Sequence, residues 1–179
     1  MIQKGTPHTF SEDDQKFVKA QAKLRVDSAI ARGCRYTPYH DKTRMQAEID
    51  TYGAEVAFCR LFGTDPELEL ARYLHYDTVY RGVEIDVKQI DLEKENLIKK
   101  VIELRPGEPP ELYPQIYVQM QGIFPTFIYR GCARAVTLVD PSNIRPGSQP
   151  GYASFYLLNR MFLLDLDPVI SELRKPLVD

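Results

Sequence analysis

Residues 73–89 constrain this chain more than any other stretch. Residues 73–80 and 83–89 each alternate with period two and flank Arg81-Gly82, a pair suited to a tight hairpin turn. With those two residues in the turn, Tyr80 pairs with Val83, Val79 with Glu84, and Asp77 with Asp86. Opposed side chains share a face, with Cβ atoms roughly 5 Å apart. Lys88 lies on that face too, two residues beyond Asp86. Tyr76, Thr78, Tyr80, Val83, Ile85 and Val87 make the reverse side an apolar, core-facing surface. Two carboxylates and an ammonium therefore meet on one side of one hairpin. Like charges directly opposite destabilise a sheet unless something cationic sits between them. A divalent ion would turn that repulsion into binding. Mg²⁺ suits the set, because it takes one or two carboxylates at about 2.0–2.1 Å and keeps its other positions for water and phosphate.

Upstream the period is helical. Ser11 before Glu12, Asp13 and Asp14 reads as an N-cap with acids in the first turn, opening a helix that runs to about Arg32 and stops at Gly33. Residues 35–41 read as a loop. A second helix spans residues 43–62 and ends at Gly63, with Met45, Ile49, Tyr52 and Val56 on one stripe. Glu48 and Glu55 are seven apart and project together from the edge of that stripe, so Glu55 belongs where the helix meets its neighbour. Downstream, residues 115–121 and 127–139 read as strands, and residues 105–114 and 141–151 as Pro- and Gly-rich loops. Residues 153–164 read as a C-terminal helix, with a shorter turn after Pro168. Residues 91–104 fit either a helix or a strand edge.

Composition narrows the class. The 179 residues carry 23 basic and 25 acidic side chains, enough chain for one domain and too little net charge to coat nucleic acid in bulk. The distribution says more. Residues 15–44 are net +6, residues 45–95 net −7 and residues 96–175 net +2. A cationic arm beside a carboxylate cluster is what a metal-dependent enzyme acting on a polyanion needs. The bland reading makes Lys16, Lys19, Lys23 and Arg25 a solvated helix face. No apolar run reaches the ~20 residues of a membrane span, and residues 1–5 lack the apolar stretch of a secretory signal. Three widely spaced cysteines, Cys34, Cys59 and Cys132, give neither a disulfide framework nor a zinc site, so a reducing cytoplasm is the expected home.

The helical Gly53-Ala54-Glu55, the Tyr76-Asp77 that opens the hairpin, and Glu84-Ile85-Asp86-Val87-Lys88-Gln89 on its return strand resemble the PD-(D/E)XK nuclease superfamily. The likeness spans residues 52–139, and the 115–139 segment looks like the final strand pair of small phage and bacterial members. It implies an α/β fold, a restriction-endonuclease-like mixed sheet flanked by helices, with two N-terminal helices. One domain would fill residues 1–179: a basic helix and loop in 1–42, the catalytic core in 43–139, and a C-terminal loop and helix in 140–179. By resemblance, Asp77, Asp86 and Glu55 become ligands of Mg²⁺ or Mn²⁺, and Lys88 assists the attacking water. Gln89, Glu48 and His75 are candidate supports, while Glu84, nearest the turn, reads as a solvated acid. Lys16, Lys19, Lys23, Lys99, Lys100, Arg130 and Arg134 are candidate phosphate contacts that carry no sequence information. The implied activity is hydrolysis of phosphodiester bonds, with DNA as the expected substrate, no membrane partner, and a second copy of the chain as partner in a dimeric form.

Two alternatives stand beside it. One is a non-catalytic nucleic-acid-binding or assembly protein on the same fold. The other is an unrelated α/β interaction domain whose hairpin charges are coincidental. Family members often place a helix between the third and fourth core strands, for which residues 122–126 leave no room. Either the sheet closes there with a hairpin or the third strand lies near residues 96–102.

Overall fold

The computed structural model describes residues 2–34, 42–66, 76–90, 97–100, 114–146 and 155–174. The first elements are β1 (Pro7–Thr9), α1 (Glu12–Ala31), α2 (Arg44–Phe62), β2 (Thr78–Tyr80) and β3 (Val83–Ile90). There follow β4 (Leu97–Lys100), β5 (Ile116–Ile123), β6 (Thr126–Arg134) and the single turn α3 (Ala135–Leu138). The chain closes with β7 (Ile144–Arg145), β8 (Phe155–Leu158) and α4 (Leu166–Leu173).

Both N-terminal helices start and stop where their caps dictate. The Ser11 hydroxyl accepts from the Asp14 N–H at 3.2 Å, and three acids fill the first turn of α1. Thr43 and Gln46 cap α2 reciprocally, each side chain accepting from the other's backbone N–H. Gly63 ends α2 in the left-handed region, at φ 66°. The hairpin turn also follows its chemistry, for Arg81 (φ 50°) and Gly82 (φ 76°) both adopt the positive φ of a type I′ connection.

The main sheet has the order β1-β6-β5-β3-β2. Strands β3 and β5 are parallel, and the other neighbours are antiparallel, so the sheet is mixed. α2 buries Phe58, Cys59 and Phe62 against Val83, Ile85, Val87, Val118 and Met120. The reverse face packs Tyr117 and Ala133 on Leu138, Leu158 and Leu163. β5 is thus buried on both sides, as the central strand of a covered sheet must be. A second sheet, β4-β8-β7, supplies Leu158 to that second core. The protein is mixed α/β, with helices packed on a mixed sheet.

Several expectations need correction. β2 is shorter than the 73–80 run: Tyr76 and Asp77 lie outside it, and residues 73–75 lie outside the described residues. β6 ends at Arg134: the Ala135 N–H makes one last bond across to the Gln115 carbonyl and α3 begins there, so the strand does not reach Val139. Among the described residues of the 153–164 segment, 155–164, there is no α-helix. Phe155–Leu158 is a strand held between β4 and β7. Beyond it the Asn159 side chain accepts from the Met161 N–H at 3.0 Å and starts one 3₁₀ turn, Arg160–Phe162. Leu164 then bridges to Cys132 on β6. A short apolar run with partners on both edges is a strand whatever its helical propensity. The C-terminal helix comes later, as α4, with Pro168 inside its first turn. Within the ambiguous 91–104 segment, Leu97–Lys100 is a strand, and the remainder lies outside the described residues. Between β5 and β6 the chain turns at Phe124-Pro125, so the sheet closes there with a hairpin. Among the described residues no helix is long and apolar enough to cross a membrane, and all three cysteines are free.

Candidate active site

The hairpin register matches expectation at Val79–Glu84 and Tyr80–Val83, and pairing ends at Thr78–Ile85. One residue earlier the chain bends. The Asp77 N–H also donates to the Ile85 carbonyl, at 2.8 Å, so two residues oppose one and Asp77 departs from the expected pairing with Asp86. The Asp77 carboxylate turns onto β3 and accepts the Val87 N–H through Oδ2 at 2.6 Å. Asp86 is 5% exposed, and its Oδ1 lies 2.6 Å from the Lys88 ammonium, two residues along the same strand face.

Glu55 reaches this cluster from α2. Its carboxylate is buried and carries a guanidinium fork: Arg25 Nη1 to Oε2 at 2.7 Å and Nη2 to Oε1 at 3.4 Å. Arg25 Nε lies 2.7 Å from Glu48 Oε1, one α2 face supplying both acids as their seven-residue spacing predicts. The guanidinium also sits 4.9 Å from the centre of the Tyr52 ring. Arg25 is therefore no part of a solvated face. Val18, Ala22 and Val26 form the buried stripe of α1, and Arg25 sits at its edge, three residues past Ala22.

Among the described residues, four carboxylates, Glu48, Glu55, Asp77 and Asp86, thus meet two cations, Arg25 and Lys88, a formal excess of two negative charges within that set. Asp77 registers the excess. Burial raises its carboxyl well above the usual value, and the fields of Glu55 and Asp86 add to this; Lys88 and the Val87 N–H oppose it. Glu55 is raised as well, by burial first, against the pull of Arg25. The folded protein then holds protons at Asp77 that the unfolded chain has released. Stability contributed there falls as pH rises from the unfolded value through the raised one. Asp77→Asn keeps an oxygen for the Val87 N–H and removes the charge. In metal-free buffer its melting temperature should match wild type near pH 4 and exceed it by about 4–8 °C at pH 8. That corresponds to about 2 kcal/mol at about 2–4 °C per kcal/mol for a chain of this size. A pH-independent difference would show that neither burial nor the neighbouring carboxylates raise the Asp77 carboxyl.

The donor set is all oxygen, which suits Mg²⁺ or Mn²⁺ over softer ions. Its charge excess equals that of one divalent ion. Beside Lys88 in the β3–β5 register, Gln119 is wholly buried, and its amide has no hydrogen-bond partner among the described residues. Among those same residues no three His, Cys, Asp or Glu side chains are already arranged to hold a metal ion. Each carboxylate is instead engaged by the protein: Val87 holds Asp77, Lys88 holds Asp86 and Arg25 holds Glu55. Asp77 and Asp86 would be the first ligands, a number that Mg²⁺ accepts when water and substrate complete its shell.

The remaining candidates are scattered. Gln89 donates to the Gly122 carbonyl at 2.7 Å and so ties β3 to the β5–β6 hairpin. Glu84 sits at the turn end of β3. Lys16 and Lys23 are exposed and paired with Asp13 and Asp27 of their own helix, while Lys19 lies 5.5 Å from the centre of the Phe124 ring. Lys99 and Lys100 are on β4 in the second sheet. Arg130 bonds the Gln121 side chain, and Arg134 occupies the cap position before α3. His75 lies outside the described residues. Sequence reasoning missed Arg25 and Gln119. The signal for Arg25 was its place at the edge of the Val18-Ala22-Val26 stripe; for Gln119 it was a polar residue centred in the Tyr117-Gln119-Gln121 face. The chain matches no family model, no curated protein and no solved structure, so what this site can do rests on its own geometry.

Proposed function

We propose that this chain is a divalent-metal-dependent nuclease of the PD-(D/E)XK type, with a restriction-endonuclease-like core, hydrolysing phosphodiester bonds of DNA. One observation carries the reading: the buried Asp86 carboxylate lies 2.6 Å from the Lys88 ammonium, Asp77 turns onto the same strand, and Asp77 feels Glu55, Asp86 and Lys88, with more acid than the cations of the described residues neutralise. Structural ion networks rarely retain such an excess, because each uncompensated buried charge costs several kcal/mol. Functional sites do retain it, since a ligand completes them.

In this reading Asp77 and Asp86 hold the ion, and Glu55 joins them when Arg25 releases it. When bound, the ion supplies Lewis-acid polarisation of the phosphate and lowers the pKa of water. Lys88, tethered to Asp86, holds positive charge and donatable protons where negative charge develops on the phosphate oxygens. Gln119, next to Lys88, offers an amide to the same polar face. Cations of α1 and β6 would meet the phosphate backbone without reading bases. Incubation with linear, circular and single-stranded DNA should give products with Mg²⁺ or Mn²⁺ and none with excess chelator.

A second reading, nucleic-acid binding without cleavage, is favoured by the engagement of each carboxylate by a protein group. Metal-independent retention of DNA in a gel, with no cleavage of any form, would establish it in place of the first.

A further inference from the structure

We propose that Arg25 is a built-in competitor of the divalent ion, its guanidinium and the metal taking the Glu55 carboxylate in turn. The inference rests on the metal-site reading above and adds a control on it. The fork covers both Glu55 oxygens, Nη1 on Oε2 at 2.7 Å and Nη2 on Oε1 at 3.4 Å. A metal needs at least one of them, and two cations on one small carboxylate repel each other strongly in a buried setting. The Glu55 carboxylate feels Lys88, and Asp77 feels Glu55, so the clamp adjoins the hairpin carboxylates.

The clamp is built to open. Helix α1 is anchored by Val18, Ala22 and Val26, which are buried without help from Arg25. The Arg25 side chain is 30% exposed, whereas that of Glu55 is 5% exposed. Of the pair, the arginine is the partner with access to solvent. Glu48, 2.7 Å from Arg25 Nε, offers the departing guanidinium a second carboxylate at the rim, so release from Glu55 does not strand it. By linkage, the Arg25–Glu55 pair weakens metal binding by the same factor by which the metal weakens the pair.

Manganese binding reads this directly, through the loss of the free-ion electron paramagnetic resonance signal on titration. Arg25→Gln should bind Mn²⁺ at least about fivefold tighter than wild type, within the usual range of coupling between sites. Arg25→Lys keeps the charge and loses the two-oxygen fork. It should fall between them. The gain should vanish in Arg25→Gln/Glu55→Gln, where there is no carboxylate left to free. Circular dichroism checks folding, and if Arg25→Gln unfolds, Arg25→Lys decides. Equal or weaker Mn²⁺ binding by the folded arginine variant would overturn the competition and leave Arg25 a structural clamp. If wild type and every variant fail to bind Mn²⁺ at millimolar concentration, the metal-site reading falls and takes the competition with it.

Discussion

Cleavage of DNA by the Asp86→Ala variant is expected to fall about a thousandfold or more relative to wild type, with the chain still folded. Loss of a single preorganised electrostatic group commonly costs two to three orders of magnitude, and Asp86 acts twice, as ligand and as the anchor of Lys88. The fold should tolerate the change. Asp86 contributes a buried carboxylate to a cluster already rich in acid, so its removal relieves Asp77 even as it takes one partner from Lys88. Lys88→Ala should lose activity on a similar scale while retaining Mn²⁺ binding, since it removes proton donation and charge without a ligand. Asp86→Asn keeps the shape of the side chain and loses its charge, and should be as inactive as Asp86→Ala. Glu84→Ala, on the same strand at the turn end, should cleave at close to the wild-type rate. Initial rates on a labelled duplex with saturating Mg²⁺ measure all four. Wild-type rates from Asp86→Ala and Lys88→Ala would remove the assigned site.

What could be read in advance follows from how local each determinant is. Caps at Ser11 and Thr43, the stop at Gly63 and the Arg81-Gly82 turn act over four residues or fewer, and each stands where its chemistry put it. The hairpin carried its charged face along, because period two is a backbone property. Asp77 shows the limit: alternation placed it opposite Asp86, but the bend at the strand end swings it onto the Val87 N–H. Tertiary partners were less legible. Phe155–Leu158 became a strand through β4 and β7, and no pattern within the segment names those neighbours. The parallel pairing of β3 with β5 joins residues about 30 apart in sequence and brings Gln119 beside Lys88. Arg25 looked like one of several helix cations until the packing of α1 on α2 set it against two glutamates.

Gly122→Ala is expected to destabilise the protein by about 3–5 kcal/mol, a large loss from so small a substitution. Gly122 sits at φ 139°, a conformation that a side chain opposes. An added Cβ would stand 2.4 Å from the Thr126 carbonyl oxygen and 3.2 Å from the Phe127 Cα, both backbone atoms that no rotamer change can move. Relief therefore requires the β5–β6 hairpin itself to shift. Three contacts resist that shift: Gln89 donating to the Gly122 carbonyl at 2.7 Å, Asp50 accepting the Phe124 N–H at 2.9 Å, and the wholly buried Phe127 ring. Because Gln89 follows Lys88 on β3, any movement also reaches the strand that carries the site. Thermal melts should show a drop of about 6–20 °C, at about 2–4 °C per kcal/mol. Cleavage per folded molecule at low temperature should fall far less than in Asp86→Ala, which separates loss of structure from loss of chemistry. A melting temperature within a degree of wild type would mean that the hairpin yields without cost, and that its hold on Gln89 is weak.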